Sequence, residues 1–129
     1  MKRPSPRPKA MSKSVLIVDD DKEILNLFRL VLEEEGYTVE TASSGTEALE
    51  KSESGTYDLA ILDIMMEDIK GHDLAPMLRK GDKPHILFIT GYADGIEYVR
   101  ALPFGPCPVI LKPVMFSDLV KVVGETLNT

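Results

Sequence analysis

From Ser14 onward, short uninterrupted apolar runs alternate with longer segments whose apolar residues recur at helical spacing, and few folds accommodate that alternation. The runs are Val15-Leu16-Ile17-Val18, Leu59-Ala60-Ile61-Leu62, Ile86-Leu87-Phe88-Ile89 and Val109-Ile110-Leu111. A strand with one wet face alternates apolar and polar residues, so unbroken runs predict strands covered on both faces, in a parallel sheet joined by crossover helices. Thr38-Val39-Glu40-Thr41 does alternate and is assigned to a sheet edge. The prediction is an α/β, doubly wound, five-stranded parallel sheet with about five helices.

The helices carry their own signals. Ile24, Phe28, Val31 and Leu32 form a stripe, with Asp21 and Glu23 at its start and Gly36 as its stop. Ser43 or Ser44 is the expected cap of a second helix running to Glu53, and Gly71 to Arg79 is a third, with Leu74 and Leu78 on one face despite Pro76. Asp94 is the expected cap of a short fourth helix carrying Ile96, Val99 and Leu102 and ended by Pro103. Pro106 and Pro108 then keep the path to the fifth strand non-helical. Ser117 is the expected cap of the last helix, with Leu119, Val120, Val123 and Leu127 as its apolar stripe.

A length of 129 residues suits one domain burying roughly two-thirds of its unfolded surface, and leaves no room for a second lobe. Residues 1–13 hold Lys2, Arg3, Arg7, Lys9 and Lys13 with no acid, spaced by Pro4, Pro6 and Pro8, and are predicted to be a disordered basic extension preceding a domain at 14–129. Met11 is an alternative start. The remainder carries 10 basic and 21 acidic residues, and a net charge of −11 disfavours nucleic acid as a partner. The longest apolar runs fall far short of the roughly 18 residues that span a bilayer, so no membrane contact is expected. A single cysteine, Cys107, and no apolar segment after the basic start point to a reducing, cytoplasmic setting.

The chemistry lies where the runs end. Val18 is followed by Asp19 and Asp20, Leu62 by Asp63, Ile89 by Thr90 and Leu111 by Lys112. In an open parallel sheet the carboxyl edge is the ligand-binding edge, so these groups converge on one crevice. Singly, each reads as a turn former or helix cap. Together, Asp19, Asp20 and Asp63 need a cation, because two unit charges about 4 Å apart repel by about 4 kcal/mol at an effective dielectric near 20. Carboxylates without sulfur or histidine among them suit Mg²⁺ better than zinc. With Lys112 opposite and a Thr90 hydroxyl nearby, the set fits phosphoryl transfer onto a carboxylate.

Val-Leu-Ile-Val-Asp-Asp-Asp at 15–21, Asp-Ile-Met-Met at 63–66 with Gly71, Ile-Thr-Gly at 89–91 and Leu-Lys-Pro at 111–113, with Lys112 22 residues after Thr90, resemble the receiver domain of bacterial two-component response regulators. The resemblance covers residues 14–128. It implies a flavodoxin-like sheet of order 2-1-3-4-5, Asp63 as phosphoacceptor, and Mg²⁺ held by Asp19, Asp20, Asp63 and the Met65 carbonyl. It also implies Thr90 and Lys112 as switch hydroxyl and phosphate-binding lysine, and a cis bond before Pro113. A sensor histidine kinase or phosphotransfer protein is the implied donor, and the chain is expected to be a monomer or weak dimer that switches a downstream protein partner.

Departures from the pattern bear on output. Glu67 stands where many receivers have Pro and is expected to lengthen or loosen the loop after Asp63. Val109 stands where they commonly have Tyr or Phe, and Val114 where Phe follows Lys-Pro. The usual threonine–aromatic coupling cannot run unchanged, so Gly91, Tyr92 and Val109 become the candidate output switch. Phe88-Ile89-Thr90-Gly91-Tyr92 and the short fourth helix resemble single-domain receivers with a Phe-Ala-Thr-Gly-Tyr type motif, Ile89 differing from its alanine. Structural or surface roles are expected for His72 and His85, a loop thiol for Cys107, and packing for the Met65 and Met66 side chains. The competing reading is a Mg²⁺-dependent phosphohydrolase with an aspartyl-phosphate intermediate, drawn from Asp19-Asp20-Asp21, against which the short chain counts. A third, a receiver-like binding module without phosphorylation, is weakened because no position of the constellation is missing.

Overall fold

The computed structural model describes residues 12–128, so the expected basic extension, Met11 included, lies outside the described residues except for Ser12 and Lys13. Five parallel strands, β1 (Ser14–Val18), β2 (Thr38–Ala42), β3 (Leu59–Asp63), β4 (His85–Thr90) and β5 (Val109–Leu111), form one sheet in the order β2-β1-β3-β4-β5. Helices α1 (Lys22–Glu34), α2 (Gly45–Ser54), α3 (Gly71–Leu78), α4 (Ile96–Arg100) and α5 (Phe116–Leu127) connect and follow them.

The two-residue period of a strand explains the unbroken runs. Val15 and Ile17 of β1 join Ile61, Leu87 and Ile89 in a core closed by Leu25, Phe28 and Leu32 of α1 and Leu119, Val123 and Leu127 of α5. Leu16 and Val18 face the other way, with Ala60, Leu62 and Phe88, under Ala48 of α2, Leu74 and Leu78 of α3 and Val99 of α4. The strand order reverses direction once, between β1 and β3. Right-handed crossovers then place α1 on one face and α2, α3 and α4 on the other, leaving a crevice at the carboxyl edge of the reversal.

Local chemistry sets the helix ends. Asp21 caps α1 by accepting from the N–H groups of Glu23 (3.0 Å) and Ile24 (3.3 Å), and Gly36 at φ 98° ends the helix by entering the left-handed region. Ser44 caps α2 through the Glu47 N–H at 3.0 Å. Two expected caps are not observed. Asp94 lies inside a 3-10 turn, Ala93–Gly95, that leads directly into α4 without a side-chain cap. Ser117 lies in the first turn of α5, which starts at Phe116 with Met115 at the cap position. Asp94 is thus taken up by the turn ahead of α4, whereas α5 starts one residue before Ser117, so neither polar residue occupies the cap position. The core face of α1 also centres on Leu25 rather than Ile24, which is only half-buried.

Candidate functional site: an acid cluster bridged by a lysine

β1 and β3 flank the reversal, so the residues at their ends meet there. Asp19 is 3% exposed, and its N–H continues the β2 pairing by donating to the Ala42 carbonyl at 3.2 Å. Asp63, the last residue of β3, is 7% exposed. Asp20 faces solvent, and one carboxylate oxygen from each of Asp19, Asp20 and Asp63 lies within 4.8 Å of the other two. Lys112 reaches in from the end of β5 and donates to Asp19 Oδ2 at 3.1 Å and Asp63 Oδ2 at 3.3 Å. Its backbone N–H is fixed on the Thr90 carbonyl at 2.8 Å, and the Lys112–Pro113 bond is cis.

The remaining carboxylate oxygens are also used. Asp19 Oδ1 accepts from the Asp21 N–H at 2.9 Å, and Asp63 Oδ1 from the Met65 N–H at 3.2 Å. The second bond seats Met65 in the turn beside Asp63, while its side chain points outward. Thr90 is fully buried, and its Oγ1 accepts from the Tyr92 N–H at 3.1 Å. That bond occupies an acceptor lone pair and leaves the hydroxyl proton for another acceptor.

Burial pushes the Asp19 carboxyl above its ordinary range, outweighing the Asp21 N–H and the Lys112 ammonium that favour its charge; the charge of Asp63 pushes the same way as burial. For Lys112, burial alone would favour the neutral amine. The hydrogen bond to Asp19 and the charges of Asp19 and Asp63 outweigh that and raise its pKa. One ammonium offsets one of three carboxylates, so the cluster keeps an excess of negative charge in a half-dry crevice. An all-oxygen donor set of this kind, without sulfur or histidine nitrogen, fits a hard divalent cation.

The model of the response regulator receiver domain family matches residues 15–124. The chain belongs to this family. Its members work in phosphorylation-dependent two-component signalling, which does not favour the hydrolase alternative. This receiver domain is 34% identical over 114 residues to the response regulator ArlR of Staphylococcus saprophyticus, covering 88% of this chain and 52% of the relative. It is 34% identical over 118 residues to the regulatory protein VanRc of Enterococcus gallinarum, covering 92% and 51%. The chain thus spans about half the length of the curated relatives it matches. Among solved structures, a CheY-like receiver domain protein of Methanospirillum hungatei superposes with a TM-score of 0.82 at 36% identity, covering 91% of this chain and 94% of the other. The Thermotoga maritima response regulator TrrA, in complex with Mg²⁺-BeF, superposes at 0.76 with 37% identity, covering 88% and 98%.

Two features of this receiver escaped the sequence reading. A Cβ on Gly71 would lie 2.2 Å from the Asp63 carbonyl oxygen, so the first residue of α3 must be glycine for the loop to close on Asp63. The loop carrying Glu67 is not loosened, because Asp68 ties it to the start of α2. Its carboxylate accepts from the N–H groups of Gly45 (3.0 Å), Thr46 (2.9 Å) and Ile69 (2.8 Å) and from the Thr46 hydroxyl (2.9 Å), and its pKa is lowered to about 2 by these bonds, those from Thr46 and Gly45 foremost. The only hint in the sequence was an acid near a helix start, 22 residues away in the chain.

Of the other candidates, Gly91 lies beside Lys112 and none contributes a carboxylate to the cluster. Tyr92 is exposed with its ring near Gly95, Val109 is half-buried against the core, and Gly91 has neither a positive φ nor a crowded Cβ position. His85 opens β4 at the opposite edge of the sheet, and His72 stacks on Tyr98. Burial pushes the Cys107 thiol up, which suits an inert thiol. An apolar cavity of 370 Å³ among Tyr57, Leu78 and Pro84 lies at the amino edge, at the opposite end of the sheet from the acid cluster. No helix among the described residues is long and apolar enough to cross a membrane.

Proposed function

We propose that this receiver accepts a phosphoryl group on Asp63 from the phosphohistidine of a sensor kinase or phosphotransfer protein, with Mg²⁺ as cofactor, and thereby switches binding to a downstream protein. The carrying observation is the bridge from Lys112 to both Asp19 and Asp63, which presents a buried carboxylate beside a cation at the sheet's ligand-binding edge. An Asp63 oxygen attacks phosphorus, the P–O bond forms as the donor's P–N bond breaks, and the electron pair leaves on the imidazole nitrogen. Lys112 exchanges its Asp63 contact for a phosphoryl oxygen, and Thr90 donates its free proton to another. Asp19 and Asp20, with Asp63 and the Met65 carbonyl, are the groups that would hold Mg²⁺. Bound there, it supplies neutralisation of the charge on phosphoryl oxygens.

The Mg²⁺-BeF complex of the Thermotoga relative supports this reading of the acid cluster. A polar recess lined by Asp20, Ser43, Ser44, Glu67 and Asp68 opens beside the cluster and leaves it accessible to a protein donor. Intact-mass spectrometry after incubation with Mg²⁺ and acetyl phosphate should show one labile phosphate, absent from Asp63→Asn. An Asp63→Asn protein phosphorylated as readily on Asp19 or Asp21 would return the hydrolase reading.

A further inference from the structure

Val109 offers no ring to carry a movement of Thr90 outward, yet α4 has to be positioned by something. A five-residue helix has no independent stability, and α4 buries only Val99 of its own residues. Its neighbours point back toward Asp63. Ile64, the fully buried residue after Asp63, faces Gly95 so closely that a Cβ there would lie 3.1 Å from Ile64 Cδ1 and 3.4 Å from Cγ2. Gly71 donates its N–H to the Ile64 carbonyl at 2.9 Å and leaves no space between itself and the Asp63 carbonyl. The next residue, His72, stacks on Tyr98 of α4 with ring centroids 4.5 Å apart and planes 10° from parallel. His72 Nδ1 is buried without a hydrogen-bond partner, so the ring is held by this face contact and not by a polar bond at that atom.

We propose that α4 takes its position from the Asp63 loop through two contacts, Ile64 on Gly95 and His72 on Tyr98, which makes His72 and Tyr98 positioning residues for output in place of a ring at position 109. The inference rests on the receiver reading. A phosphoryl group on Asp63 displaces the backbone of 63–65, to which Ile64 belongs and against which Gly71 is packed. The shift is therefore delivered to α4 at two points on one side of a short helix, tilting it instead of translating it. The coupling is physical only if α4 responds differently once a contact is removed.

Amide NMR shifts of the full chain, with Mg²⁺ and beryllofluoride as probe, test it. In the native sequence, residues 63–65, 90 and 112 should shift together with 95–101. In His72→Ala the shifts at 95–101 should fall by about half or more while those at 63–65, 90 and 112 persist. Tyr98→Ala should behave alike, and His72→Phe, which keeps a flat ring, should restore the α4 response. Full α4 shifts in His72→Ala, or a His72→Phe protein no better than alanine, would overturn the inference. A native protein with no shift at 63–65 or 112 would instead overturn the receiver reading on which it rests.

Discussion

The β1–β3 centre of the sheet and its β5 edge are built to different standards. β1 and β3 are five residues each, and every residue after Ser14 in those two strands is buried; β5 has three residues, none of them buried. The centre holds the carboxylates, whose mutual distances have to be kept against repulsion. Thr90 ends β4, which is as buried as the centre, and only β5 is lightly packed. Among the described residues, Lys112 is the cation that reaches from that lightly packed edge to Asp19 and Asp63.

The contrast can be broken by cavity formation. Leu62→Ala in β3 should cost about 3 kcal/mol in urea unfolding, whereas Ile110→Ala in β5, half-buried, should cost about 1 kcal/mol. Equal losses would show that centre and edge are packed alike. A second test compares glycines. Gly71→Ala drives a methyl into the Asp63 carbonyl and should destabilise by about 1–3 kcal/mol, while Gly91→Ala, whose Cβ would meet nothing closer than Lys112 Cβ at 3.9 Å, should change stability by less than about 0.5 kcal/mol. At the acid cluster, Asp20→Asn should lower Mg²⁺ affinity by about tenfold or more in calorimetric titration and leave the metal-free protein equally or more stable, because repulsion is relieved.

The smallest effect concerns pH. Asp68 has a folded-state pKa of about 2 against an ordinary 3.8, so its contribution is present above pH 4 and lost as pH falls through 2. The group is exposed to solvent, and screening limits the contribution to under about 1 kcal/mol. Asp68→Asn should flatten the acid limb of the stability curve between pH 4 and 2. An unchanged limb would remove Asp68 from the α2 cap.

The strand runs and the residues that end them were legible because burial on both faces permits no polar residue within β1, β3 or β4, so each aspartate or threonine stands out at the boundary. Sheet order and the expected role of Asp63 were implied by the resemblance of the motifs to receiver domains. What failed was local. Asp94 and Ser117 look like caps, but cap preference of about 1 kcal/mol yields to the packing of Val99 and Leu119. Asp68 and the His72–Tyr98 pair act across 22 and 26 residues of chain, and no periodicity joins such partners.

The Asp68 contact also fixes how this protein can be recombined with its relatives. α2 draws one N-terminal hydrogen-bond acceptor from Ser44 and its others from the loop that follows β3, with Ile69 pressed against Gly45 where a Cβ would lie 2.8 Å away. A chimera that exchanged α2 alone would import a helix start without its carboxylate, and one that exchanged only the 64–70 loop would strand that carboxylate. The smallest transferable block runs from Ser43 to Gly71, and crossovers inside it should yield far fewer folded progeny than crossovers at its ends.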